Sequence, residues 1–258
     1  MNAERIMALS NAGAQGLVQV EVVPETGSTN ADLLARAPGL AAPVLLVAGH
    51  LTAGRGRAGR SWLSAPGHSL TFSLAWKFGG GLQKLTGLPL AVGAALAETL
   101  GRLGQPVHLK WPNDVLKDGD KLAGILVETA AAGDGGVWAV IGIGLNLAMP
   151  DELEERIGRP VAAVPWLARM DRNTLLAALL DGLLDALRLF ERIGFAAFTA
   201  RWNLLHGWQG QAVTILDRGE VLHEGLAAGV DDIGRLLLDT ESGRVAIVAG
   251  DVSLRMKA

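Results

Sequence analysis

Apolar and polar positions alternate with period two in some stretches of this chain and recur at helical spacing in others, so most of its elements can be placed from the pattern alone. Residues 18–22 read Val-Gln-Val-Glu-Val, an alternation that puts three valines on one face of a strand. Ser28 stands where a helix N-cap belongs, ahead of a helix predicted over 30–36 that must stop before Pro38. Residues 44–48 form a continuous apolar run of strand length. Beyond a loop at about 50–67, Leu70, Phe72, Leu74 and Trp76 alternate with Ser69, Thr71, Ser73 and Ala75, which predicts a half-buried strand. Helical spacing over 85–103 precedes a strand-like 107–110. Asp118-Gly119 then lies between two strand-like runs and predicts a hairpin whose second arm continues through 122–129. A strand is predicted at 137–143. Asp171 or Asn173 caps a long helix reaching Phe190, with Asp181, Asp185, Arg188 and Arg192 on one solvated face. After Trp208 the period shortens again, and strands at 212–216, 221–227, 236–239 and 245–248, separated by glycine-containing turns, predict a small β-barrel.

These elements compose an α+β protein: a mixed β-sheet with flanking helices over 1–207, followed by a small β-barrel over 208–258. At 258 residues, half of them apolar, 19% charged and 34 of them glycine, the chain can bury a large core and is not disordered. Cysteine is absent, which excludes disulfides, thiolate metal ligands and a cysteine nucleophile. Glu4 and Arg5 precede any apolar run, and the longest apolar stretch, 88–97, ends at Glu98, far short of a membrane span. A cytoplasmic protein with no membrane partner is expected. The net charge of −3 gives no general reason to expect nucleic-acid binding. Its distribution is more informative. Between Leu33 and Ala97 there is no Asp or Glu, while Arg36, Arg55, Arg57, Arg60, Lys77 and Lys84 all fall there, and so uneven a span suggests an anion site.

The loop Gly54-Arg55-Gly56-Arg57-Ala58-Gly59-Arg60-Ser61-Trp62 satisfies G-x-G-x-x-G and approximates the P-loop pattern. Both of those motifs require a helix to begin at once, so that its N-terminus holds phosphate, and the dinucleotide motif also needs an acid about 20 positions on. Here Pro66-Gly67 and a strand follow, and no acid comes before Glu98. What remains is three guanidiniums on a backbone that three glycines let fold over an anion. Such a loop can also be a solvated surface or an RNA-binding tract. Trp62 favours a ligand, since an indole beside arginines can stack on a nucleobase or seal a closed loop.

A second constellation begins with Lys110-Trp111-Pro112-Asn113-Asp114, and the predicted hairpin would bring Lys121 back beside Asn113 and Asp114. A surface ion pair is the plain reading. The chemical one is that Lys121 neutralises charge developing on a phosphate under attack by a carboxylate, with Asp114 as a Mg²⁺ ligand. Gly142-Ile143-Gly144-Leu145-Asn146 closes a strand, with glycines that admit a ligand ring against the backbone and Asn146 placed to read an adenine or a phosphate. The five histidines are scattered without ligand spacing, so no zinc is expected.

Gly27-Ser28-Thr29-Asn30, the arginine loop 54–62, Lys110 to Val115, Lys121 to Glu128 and Gly142 to Asn146 together resemble, in order, the motif set of biotin protein ligases. The resemblance implies a catalytic domain related to class II tRNA synthetases and lipoate ligases, with an SH3-like C-terminal domain. The implied chemistry is formation of biotinyl-5′-AMP from biotin and ATP with Mg²⁺, then transfer of biotin to a lysine of a biotin carboxyl carrier protein or domain. It assigns biotin to Ser28, Thr29, Asn30, Arg55, Gly56, Arg57, Lys121, Gly124, Gly142 and Gly144. It assigns ATP or the adenylate to Arg55, Arg57, Arg60, Trp62, Asn113, Lys121 and Asn146, with Lys121 and Arg57 catalytic. Repressor members carry an additional N-terminal DNA-binding domain. Only about 17 residues precede the first strand here, so DNA is not an expected partner, and a homodimer is left open.

One position departs from the family. Where members read Q-T-A-G-R-G-R, this chain has Leu51-Thr52-Ala53-Gly54, so a leucine replaces a glutamine that contacts biotin in the family. Two rival readings stand beside this one. A lipoate or octanoate ligase would need a longer apolar channel, and a nucleic-acid-binding module would rest on the arginine loop and the barrel.

Overall fold

Strand alternation and helix caps resolve into two sheets joined by one core. A computed structural model describes residues 1–217, 219–250 and 252–257. The larger sheet contains β1 (Gln19–Val23), β2 (Val44–Ala48), β3 (Ser69–Phe78), β4 (His108–Lys110), β5 (Asp114–Lys117), β6 (Asp120–Ala131) and β7 (Val137–Asn146). Their spatial order is β1-β2-β3-β7-β6-β5-β4; β1 and β2 are parallel and every other pair is antiparallel. The single parallel pair needs a crossover, and α3 (Thr29–Arg36) supplies it, capped by Ser28, whose Oγ accepts the Ala31 amide at 3.3 Å. The β5–β6 hairpin turns on Asp118 and Gly119, both at positive φ (52° and 93°), as this turn dipeptide permits.

Helices α4 (Leu88–Arg102) and α7 (Arg172–Ile193) pack against one another and cover one face of this sheet, while α3 covers part of the other. The helix pair and Leu70, Phe72, Leu74 and Trp76 form the main core. Leu33, Leu46, Ala75 and Val140 form a smaller one under α3. The half-buried expectation for β3 is therefore corrected. Ser69, Thr71 and Ser73 are as buried as their apolar neighbours, because their face lies under α3 and a cleft, not under bulk water. Asp181 is likewise not on a solvated face. It accepts from Ser10 Oγ at 2.7 Å and from the amides of Asn11 and Ala12 at 3.1 Å, holding α1 (Ala3–Leu9) and α2 (Asn11–Ala14) on α7. Asp185, Arg188 and Arg192 are exposed as predicted. Three further short helices, α5 (Asp151–Ile157), α6 (Pro165–Arg169) and α8 (Thr199–Leu204), follow β7 and α7.

The C-terminal sheet comprises β8 (Ala212–Asp217), β9 (Glu220–Val230), β10 (Leu236–Thr240), β11 (Gly243–Ile247) and β12 (Val252–Met256), all antiparallel in the order β11-β10-β9-β8-β12. Four strands match expectation and β12 is additional. Among the described residues no ladder joins β11 to β12, so the predicted barrel is a five-stranded sheet. Val213, Ile215, Val230, Leu236 and Leu254 enter the same core as α4 and α7, and buried Trp111 donates from Nε1 to the Gly234 carbonyl at 3.2 Å. Among the described residues no helix is long and apolar enough to cross a membrane.

Candidate active site

Residues directly opposite in a ladder share a face, so the register shows what the sheet presents beside α3. One row crosses six strands as Ala48, Thr71, Gly144, Gly124, Asp114 and Lys110, and the next runs Leu46, Ser73, Gly142 and Leu126. The first row, with Ser73 and Gly142 of the second, thus sets small and polar residues among the aliphatic positions of the sheet. Above them lies a cleft of about 630 Å³, walled by α3, the loop 54–62, the segment before α6 and β12. The structure brings every residue assigned by resemblance to its lining.

The inner end is polar and neutral. Ser73 Oγ lies 2.7 Å from Thr29 Oγ1 and 2.6 Å from Asn30 Oδ1. A Cβ on Gly142 would fall 2.2 Å from that Asn30 oxygen, and one on Gly144 would fall 2.3 Å from the Trp62 indole. Both glycines are therefore required by close approach, but it is this chain's own side chains that approach. Trp62 Nε1 is buried with no hydrogen-bond partner among the described residues, a donor left for a ligand acceptor.

The outer end is cationic. Among the described residues lining the cleft, Arg55, Arg57, Arg60, Lys110, Lys121, Arg156, Arg159 and Arg255 face a single acid, Asp114. Asp114 Oδ1 lies 2.5 Å from Lys121 Nζ, outside hydrogen-bond alignment, and its Oδ2 lies 3.9 Å from Lys110 Nζ. Burial pushes the Lys110 ammonium down to about 8; Asp114 pulls it back up, while Arg255, Lys121 and Arg159 push it further down. Burial, with Arg60 and Arg159 nearby, also lowers Arg255 from its usual range. So dense a cluster of like charge calls for a polyanion.

The arginine loop is a small hairpin, closed by the Trp62 amide on the Gly54 carbonyl at 2.9 Å and by Gly56 on Arg60 at 2.7 Å. Arg57 spans the cleft mouth, donating to Asn113 Oδ1 at 3.1 Å and to the Gly250 carbonyl ahead of β12. Arg55 pairs with Glu128. Asn113 is itself held by its Nδ2 on the Ile125 carbonyl at 2.7 Å. Asn146 lines the cleft, and its Nδ2 bonds the Lys121 and Ala162 carbonyls at 3.4 and 3.1 Å, so this nitrogen braces the wall.

The Mg²⁺ role anticipated for Asp114 fits poorly. Its carboxylate is engaged by two ammonium groups, and among the described residues no cluster of three His, Asp or Glu could hold a metal. Mg²⁺ that arrives with ATP needs only one or two carboxylates beside the phosphates, so what weighs against Asp114 is the pair of ammonium groups at its carboxylate. Sequence reasoning also left Ser73, Lys110, Glu128, Arg156, Arg159 and Arg255 unassigned. Lys110 and Glu128 sit inside the recognised motifs, whereas nothing local distinguishes the three arginines that approach from beyond β7.

Comparison with known proteins bears on this geometry. The Biotin/lipoate A/B protein ligase family matches residues 21–146, and the Biotin protein ligase C terminal domain matches residues 210–255. The Biotin--[acetyl-CoA-carboxylase] ligase of Mycobacterium tuberculosis is 36% identical, over 95% of this chain and 91% of its own. The chain belongs to the biotin protein ligase family. Another biotin protein ligase relative, the bifunctional ligase/repressor BirA of Escherichia coli, is 35% identical over 99% of this chain and 78% of its own. A solved biotin protein ligase from Aquifex aeolicus, in complex with biotin and ATP, superposes with a TM-score of 0.76 at 29% identity, covering 92% of this chain and 99% of that one. The matched regions include both the floor of the cleft and β12, so the biotin protein ligase family accounts for the two walls together.

Proposed function

We infer that this chain is an ATP-dependent ligase that forms biotinyl-5′-AMP and passes the biotinyl group to a lysine of a biotin carboxyl carrier protein or domain. The observation that carries the reading is a single cleft with a small neutral polar end beside Asn30 and a cationic end around Lys121. In the first step a carboxylate oxygen of biotin bonds to the α-phosphorus of ATP as the bond to the bridging oxygen breaks, and pyrophosphate leaves with that electron pair. Lys121 neutralises charge at the α-phosphate, and Arg60, Lys110, Arg159 and Arg255 offer further cations for the departing anion. In the second step a neutral lysine amine attacks the acyl carbon, AMP leaves, and the proton goes to solvent or a nearby base. The mixed anhydride survives between steps only if water is kept out, which is the part the closed arginine loop plays.

Biotin-dependent ATP–pyrophosphate exchange tests the reading directly. Exchange that responds to biotin and not to lipoate or octanoate supports it, and absence of biotin-dependent exchange overturns it. Lys110 adds a pH signature. Its cation is present below about pH 8 and lost above it, so kcat/KM for ATP should fall as pH rises through about 8, and Lys110→Met should remove that limb while raising the ATP KM at neutral pH. A limb unchanged in the variant would assign it to another group.

At the neutral end, the Leu51 amide and carbonyl both lie against Ser64 Oγ, at 3.3 and 3.4 Å, so neither the side chain nor the backbone there offers a ready hydrogen bond. Leu51→Gln should lower the biotin KM by about two- to tenfold, the worth of one hydrogen bond. An unchanged KM in steady-state kinetics would show the substitution to be silent.

A further inference from the structure

Glu128 lies on β6, one strand removed from the polar floor residue Ser73, and its two carboxylate oxygens have different partners. Oε2 accepts from Asn30 Nδ2 at 2.9 Å, and Oε1 pairs with Arg55 of the arginine loop. The Asn30 amide nitrogen also donates to the Leu126 carbonyl at 3.3 Å. A carboxylate and a backbone carbonyl are acceptors only, so they admit just one orientation of this amide, nitrogen toward β6. The oxygen is thereby turned to Ser73 and across Gly142, at the inner end of the cleft. Reversing the amide would set its oxygen against two other acceptors and lose both bonds. Asn30 is therefore held as a hydrogen-bond acceptor toward the cleft, and the same carboxylate fixes one arginine of the loop that closes it.

We propose that Glu128 is a positioning residue with two separable tasks: it locks Asn30 as the acceptor that reads N–H donors on the heterocycle of the bound acid, and it clamps Arg55 so that the loop stays down over the adenylate. The proposal rests on the biotin ligase reading, since biotin's ureido group supplies such donors. It ties recognition at the inner end to retention at the outer end through one side chain, which is 20% exposed.

Three proteins separate the tasks. In Glu128→Ala both partners are lost, and the biotin KM in ATP–pyrophosphate exchange should rise about tenfold with kcat changed much less, as expected for removal of a hydrogen bond to a charged group. Glu128→Gln keeps an acceptor oxygen for Asn30 but not the charge for Arg55. Its biotin KM should stay near that of the unmodified protein, while preformed biotinyl-adenylate, followed by rapid filtration, should dissociate several-fold faster. Thermal unfolding of both variants reports folding, and a purely structural role would move both alike. A Glu128→Ala biotin KM within twofold of the unmodified protein overturns the recognition task, and Glu128→Gln release at the original rate overturns the clamp. If the unmodified protein shows no biotin-dependent exchange, the functional reading itself fails, an outcome distinct from either.

Discussion

Lys121→Ala should slow biotin-dependent ATP–pyrophosphate exchange by about 10²–10³-fold, the usual cost of removing one well-placed electrostatic donor from a dry site. The biotin KM should move far less, because the neutral end of the cleft, around Asn30 and Ser73, does not involve this lysine. Part of the loss has a second source. With Lys121 gone, the ion pair left to Asp114 among the described residues is the one to Lys110, at 3.9 Å, with Arg255 acting from further away, and its carboxylate then faces the incoming phosphates with more of its charge uncompensated. Adding Asp114→Asn should therefore recover part of the rate, and Lys121→Arg should rescue poorly, since a planar fork does not substitute for a compact ammonium 2.5 Å from its partner. A loss smaller than about tenfold in Lys121→Ala would remove Lys121 from the chemical step.

The second large effect belongs to the loop. Arg57 reaches from its hairpin to Asn113 on one side and to the Gly250 carbonyl on the other, so it bridges the two sheets over the cleft mouth. In Arg57→Gly both contacts vanish and the chain at 57 gains freedom. Charge-assisted bonds of this kind contribute about 1.5–3 kcal/mol each, which corresponds to adenylate release faster by about 10–100-fold. The escaped adenylate acylates any exposed lysine it meets. Labelling of an unrelated protein mixed with the variant, scored by avidin blot, is the expected result; labelling confined to the carrier domain would contradict it.

Much of this is legible in the sequence because the signals are local. The run at 44–48 is bounded by what flanks it and is β2 to the residue. Ser28 caps where a serine should, and Asp118-Gly119 turns where the dipeptide requires positive φ. The short helices were not legible: α2 has four residues and α6 five, too few for a period to show. Asp181 reads as one more charge on a helix surface, and only the fold brings Ser10 to it. The same limit applied in the cleft. The motifs located Lys121 and Asp114 beside each other because a hairpin joins them, whereas Arg159 and Arg255 arrive from separate segments and meet only after folding. Asn146 illustrates the converse: a motif residue correctly placed at the cleft, whose amide nitrogen the backbone has already claimed.

The floor of the cleft depends on β3 being read in one register. Thr71 and Ser73 face the ligand because they are odd-numbered neighbours of core residues Leu70, Phe72 and Leu74, and they stand opposite Gly144 and Gly142 across the ladder. A slip by one residue would turn phenylalanine and leucine toward the substrate and push two hydroxyls into the aliphatic layer beneath. A single inserted or deleted residue in this strand would thus act as a frameshift in space. It would exchange recognition surface for core while leaving the composition nearly intact, so homologues should carry length changes in the loops flanking β3 and none within it.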